Sequence, residues 1–218
     1  SDNNKSTGIA LIGANDSSKR GTAILPYFKA GLLASLVRLS VPYARVVGRG
    51  ALTFSAGWTD SGNYSNACKK SPGAGGTASA TVVGTTVYAI FATVPATTDA
   101  TPQVVQITVD GVEKYNGALP QPVTTMIGLT YGAVAVRIPD LAAGSHAVVV
   151  THVSGSVNLF MISLSGYGQE GDAYPTVVGV ATLPNSGFSS ASISFGAACI
   201  EVYRQLQRDG LGIKYVDL

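Results

Sequence analysis

Hydrophobic and polar positions are arranged in two different ways along this chain. Near the N-terminus a continuous apolar run, Ile9-Ala-Leu-Ile12, stops at Gly13 and hands on to Asn15 and Asp16. An uninterrupted run of this kind reads as a buried strand over Gly8–Ile12. Phe28, Leu32, Leu33, Leu36 and Val37 then recur at helical spacing. They predict a helix from Thr22 to Leu39, with Pro26 in its first turn, where the missing N–H is harmless. Pro42 closes the helix and Arg45-Val-Val-Gly48 follows as a second buried strand, so residues 1–50 read as a βαβ unit with parallel strands.

From Ala51 to Gly171 the pattern changes to period-two alternation in Thr-, Val- and Tyr-rich runs separated by Gly, Pro and Asp. This predicts strands at Leu52–Trp58, Thr77–Val83, Thr86–Thr93, Val104–Val109, Ala133–Ile138, His146–Val153 and Val157–Leu164. Asp110-Gly111 is a two-residue hairpin signal. Such a series fits a β-sandwich of the jelly-roll kind. The α/β texture returns in Thr176–Ala181, in a helix over Ser192–Arg208 with Phe195, Cys199, Val202 and Leu206 on one face, and in a strand over Gly212–Asp217. The predicted organisation is one α/β domain, residues 1–50 and 172–218, interrupted by an inserted sandwich at 51–171, because two half-domains of that size would each bury too little alone.

Composition narrows the partners. The chain has 218 residues, 46% of them hydrophobic and 12% charged. The charged fraction is about half that of an average soluble domain, and this suits an extracellular or virion-associated protein. A net charge of +2 and a single adjacent basic pair, Lys69-Lys70, argue against nucleic acid. No run approaches the length of a membrane span, and the polar start, Ser1-Asp-Asn-Asn-Lys-Ser-Thr7, is unlike a signal peptide. Neither a metal nor a cofactor is predicted: Cys68 and Cys199 stand far apart without ligand spacing, and Asp60, Asp140 and Asp172 match no calcium loop. No Gly-x-Gly-x-x-Gly follows either strand, which argues against a nucleotide.

Candidate chemistry concentrates after the first strand. Ligands of open α/β sheets sit at the carboxyl ends of the strands, and that is where Asn15 and Asp16 fall; taken alone, the pair also reads as a turn or helix cap. Ser17 and Ser18 have no neighbouring His or Lys to activate them and read as turn residues. In the sandwich, Trp58, Tyr64, Tyr88, Tyr115 and Tyr131 offer flat faces for sugar rings or for core packing, and the Gly/Ser/Asn-rich loop after Trp58 singles out Trp58 and Tyr64 as ligand contacts. His146, at a strand start, reads as structural.

Gly13-Ala-Asn-Asp16, the helix ending near Leu39, the strand at Arg45–Gly48 and Tyr215-Val-Asp217 together resemble the SGNH (GDSL-like) esterase family. The order of features in the insert, Gly57-Trp-Thr59, Thr77–Val87, Val109-Asp-Gly-Val112 and Leu141–Ala147, is similar to members with an inserted sandwich, often found in phage tail proteins. The resemblance implies an incomplete flavodoxin-like parallel sheet carrying the insert. It implies a serine esterase that removes acyl groups, acetyl above all, from a carbohydrate polymer, with the sandwich aiding docking. Asn15 would donate its amide to the oxyanion, a kind of contact whose loss typically lowers rate about 10²–10³-fold. Gly13 would permit the tight turn, and Asp16 would support the loop by hydrogen bonds.

The family's Gly-Asp-Ser block and its Asp-x-x-His block have no counterpart here, and His146 and His152 both fall in the sandwich. Without nucleophile and base the oxyanion donor supplies no useful rate, so the expectation is an inactive segment of an SGNH hydrolase whose remaining segments carry Ser and His. The rival expectation is a non-catalytic glycan-binding or structural module of a tail fibre or cell-surface protein. A homo-oligomer is compatible with either.

Overall fold

The computed structural model describes residues 8–11, 25–40, 46–48, 50–61, 68–94, 100–121, 132–168, 177–181, 190–209 and 213–217. In chain order the elements are β1 (Gly8–Leu11), α1 (Leu25–Ser40), β2 (Val46–Gly48), β3 (Thr53–Phe54), β4 (Thr59–Asp60), β5 (Lys69–Lys70), β6 (Thr77–Val83), β7 (Thr86–Thr93), β8 (Val104–Val109), β9 (Val112–Ala118), β10 (Gly132–Ile138), β11 (Ser145–Ser154), β12 (Phe160–Tyr167), β13 (Val177–Ala181), α2 (Ser190–Arg208) and β14 (Ile213–Asp217).

The fold is a predominantly antiparallel β-sandwich, and the expected flavodoxin-like α/β sheet is not found. An outer sheet runs β3-β6-β11-β8-β9, and an inner sheet runs β10-β7-β12-β5-β4 with β2 also paired to β12. The predicted βαβ unit fails at its second strand. Val46–Gly48 pairs antiparallel with Ser163–Ser165 of β12 instead of lying parallel to β1. A three-residue apolar run has no preference of its own for either direction, and the long edge of β12 supplies the partner. What is parallel is small: β1 pairs with β13 and β13 with β14, three strands among the described residues.

Period-two patterning explains the two cores. Along β7, Val87, Ala89 and Phe91 point between the sheets, while Tyr88, Ile90 and Ala92 point to the other face, where Leu32, Leu33, Leu36 and Val37 of α1 and Cys199, Val202 and Leu206 of α2 meet them. The inner sheet is therefore covered twice, and every residue of β7 and β12 is buried. The outer sheet is covered once, and β8 alternates between half-buried and buried positions. A register shift between Met161 and Ser163 inserts one residue into β12, a bulge that lets Met161 and Leu164 both face the sandwich interior. Asp110 and Gly111 carry φ of 51° and 79° in the β8–β9 turn, the left-handed pair that a two-residue hairpin of this type requires. Among the described residues no helix is long and apolar enough to cross a membrane.

Candidate functional site

The three parallel strands define one edge. Leu11 of β1 lies beside Val180 of β13, and Ala181 of β13 lies beside Asp217 of β14, so all three carboxyl ends finish together. β1 ends at this edge with Leu11, two residues before Gly13 in the sequence. Gly13, Asn15, Asp16 and Tyr64 lie outside the described residues.

Trp58 is described, and it is 9% exposed. Its ring packs on Phe54 with centroids 5.0 Å apart, and the Lys69 ammonium sits 5.3 Å above the Phe54 ring. Its indole N–H is buried and has no hydrogen-bond partner among the described residues. The strand β4 that follows Trp58 is held by β5, with Lys69 3.6 Å from Asp60, and this pairing folds the tryptophan inward.

Both histidines sit on β11 with both ring nitrogens engaged. His146 Nδ1 is 2.6 Å from Asp110 Oδ2 and its Nε2 is 2.8 Å from the Ala142 carbonyl. Two acceptors call for two donated protons, and the bond to Asp110 raises the His146 pKa above its ordinary value. Asp110 is held below the usual carboxylate range by that bond and by the N–H of Ala147. His152 is fully buried; Nε2 donates to the Ser154 carbonyl at 3.0 Å, which leaves Nδ1 to accept from the Ser71 hydroxyl at 2.8 Å. Burial lowers the His152 pKa. The Ser71 oxygen in turn accepts the Gly73 N–H at 3.1 Å. A serine and a histidine meet here, and both are buried.

A third cluster joins the sandwich to the end of α2. Asp209, which follows Arg208, has a side chain only 3% exposed. Arg137 of β10 grips both its oxygens, Nε donating to Oδ2 at 2.7 Å and Nη2 donating to Oδ1, while the Tyr88 hydroxyl of β7 donates to Oδ2. Desolvation, reinforced by the neighbouring carboxylate, pushes the Tyr88 phenol far up, and the bond to Asp209 raises Arg137 further. Tyr88 meets Tyr167 edge to face at 5.3 Å, and Tyr167 donates to the Val37 carbonyl of α1 at 2.9 Å. Beside this cluster opens a cavity of about 630 Å³ lined by Thr85, Thr86, Arg137, Asp140, Leu141, Gly168, Arg208 and Asp209.

Sequence reasoning missed Arg137 and Asp209 as a pair. A charge inside the apolar strand Gly132–Ile138 was the available sign, since such a residue demands a partner. Among the described residues no three His, Cys, Asp or Glu gather as a metal site, and Cys68 and Cys199 are both buried and form no disulfide.

No family model and no curated protein matches this sequence. Among solved structures the chain is similar to proteins that act on or bind carbohydrate. One is a family two carbohydrate esterase from Clostridium thermocellum in complex with cellohexaose, at 13% identity and TM-score 0.39, over 52% of this chain and 30% of that one. Another is a family 35 carbohydrate binding module from Clostridium thermocellum, at 15% identity and TM-score 0.40, over 55% of this chain and 96% of that one. A third is an exo-beta-1,3-galactanase from Phanerochaete chrysosporium with galactose, at 17% identity and TM-score 0.35, over 57% of this chain and 28% of that one. The chain thus spans less than a third of the esterase and of the galactanase.

Proposed function

We propose that these residues belong to a carbohydrate-directed serine esterase, with Asn15 as the oxyanion donor and the sandwich aiding the docking of an acylated glycan. The supporting observation is the shared carboxyl edge of β1, β13 and β14, where β1 ends at Leu11, two residues before Gly13 in the sequence. A side-chain amide anchored beside a strand end is preorganised before charge develops, which is what makes such a donor effective. Gly13 gives the turn its freedom and Asp16 holds the loop. The nucleophilic serine and its histidine base come from other segments of the same hydrolase, because His146 and His152 are committed within the sandwich.

That same commitment favours a second reading, a non-catalytic glycan-binding or structural module of a tail fibre or cell-surface protein. One experiment separates the two. In the full-length protein, Asn15→Ala is expected to lower hydrolysis of an acetylated xylan by about 10²–10³-fold. Equal rates for parent and variant remove Asn15 from the reaction. A parent that retains the polysaccharide without releasing acetate supports the binding module.

A further inference from the structure

The cavity beside Asp209 is assigned no role by the esterase reading, and its chemistry is specific. We propose that it is a binding site for an uncharged sugar unit, held by Arg208, Asp140 and Thr85; this deepens the glycan-docking part of the proposed function and rests on it.

Charge balance disfavours a ligand that carries charge of one sign only. Among the described residues the lining holds two arginines and two aspartates, of which Arg137 and Asp209 neutralise each other in a two-point ion pair. The guanidinium of Arg208 and the carboxylate of Asp140 remain, and neither has a hydrogen-bond or ion-pair partner among the described residues. One is a donor only and the other an acceptor only. A phosphate or sulfate entering the cavity would be repelled by Asp140, and an ammonium by Arg208. A hydroxyl-bearing ring satisfies both, giving a proton to Asp140 and accepting from Arg208. The Thr85 hydroxyl adds a group that does either, since its contacts to the Tyr167 and Gly168 carbonyls are long, at 3.4 and 3.5 Å.

The backbone of the wall is held in advance at Asp140, Leu141 and Gly168, which lessens the ordering left to binding. Asp140 holds a left-handed backbone at φ 59°, and the next residue, Leu141, donates its N–H to the Thr85 carbonyl at 2.9 Å. Residues kept in this region of the backbone map cluster at ligand sites. Gly168 has φ 80°, and a Cβ there would overlap the Thr85 hydroxyl, so glycine is what leaves that hydroxyl in place. Leu141 supplies an apolar patch for the C–H face of a ring. A volume of about 630 Å³ falls within the range of small-ligand pockets.

The test measures binding of neutral tetrasaccharides of glucose, xylose, galactose and N-acetylglucosamine to the intact protein by calorimetry, with a galacturonate tetramer as the charged control. At least one neutral tetrasaccharide is expected to bind. Arg208→Ala should weaken it about tenfold, the loss of one charge-assisted hydrogen bond, with the thermal unfolding midpoint unchanged. Asp140→Asn keeps a residue that tolerates positive φ and should weaken binding by a smaller factor. Unchanged affinity in both variants removes the sugar from this cavity and leaves glycan docking elsewhere on the sandwich. Failure of every neutral tetrasaccharide overturns the cavity site together with the docking reading, while Asn15 remains testable by acetate release. Tighter binding of the galacturonate tetramer overturns the charge argument.

Discussion

The inner and outer sheets are made of the same kinds of residue and differ in what covers them. β7 and β12 are buried along their length because helices lie on one face and the second sheet on the other. β11 is buried only at every second position, from His146 through His152, and its far end opens at Val153 and Ser154. The same contrast divides the ion pairs. Arg137 and Asp209 close the gap between the inner sheet and α2, with Asp209 3% exposed, whereas Asp110, which holds His146 at the rim of the outer sheet, is 51% exposed. Cover therefore decides how much a polar contact matters, and the polar cavity opens where the twice-covered sheet ends.

Removing the covered carboxylate should have the largest effect. Asp209→Ala strands the Arg137 charge and the Tyr88 hydroxyl, and breaking one partner of a buried pair typically destabilises by about 3–5 kcal/mol. Asp110→Ala leaves His146 beside solvent and should change stability far less. Urea denaturation of the two variants checks this; equal losses would break the contrast. Truncation of side chains draws the same line. Phe91→Ala, on the fully buried face of β7, should lose about 3–5 kcal/mol. Val153→Ala, 40% exposed on β11, should stay within about 0.5 kcal/mol of the parent.

Much of this contrast was legible in the residues. Thr77–Val83, Thr86–Thr93 and Val104–Val109 are strands with the bounds that alternation and turn residues predict, and Asp110-Gly111 turns the hairpin. The second helix begins at Ser190 and ends at Arg208, against an expected Ser192–Arg208. The last sandwich strand is Phe160–Tyr167 against an expected Val157–Leu164, because Val157-Asn158-Leu159 already alternates after the turn at Gly155 while ladder pairing starts only at Phe160. Pairing was not legible. Nothing within Val46–Gly48 says that β12 is its neighbour, and the flavodoxin-like expectation failed on that strand. The unbroken run Val87-Tyr-Ala-Ile-Phe-Ala92 did carry a sign of double cover, since a strand open on one face alternates. The polar cluster was hidden for a different reason: Tyr88 and Asp209 are 121 residues apart, and no local spacing joins them. Asn15 lies outside the described residues.

The smallest effect separates two histidines on one strand. His146 has its pKa raised by Asp110, so its contribution is complete below the unfolded value of 6.5 and fades as pH rises through its folded value. His152 has its pKa lowered by burial, so the unfolded chain takes up a proton first and stability falls as pH drops below 6.5 toward the folded value. Protonating His152 at Nδ1 also ends its acceptance from Ser71, the contact that ties β11 to the segment after β5. Each group contributes at most about 1.4 kcal/mol per pH unit within its window. Stability measured by urea from pH 5 to pH 8 should therefore flatten on the acid side in His152→Gln and on the alkaline side in His146→Gln. An acid slope in His152→Gln as steep as the parent's would mean that the neutral ring is not what the outer sheet protects.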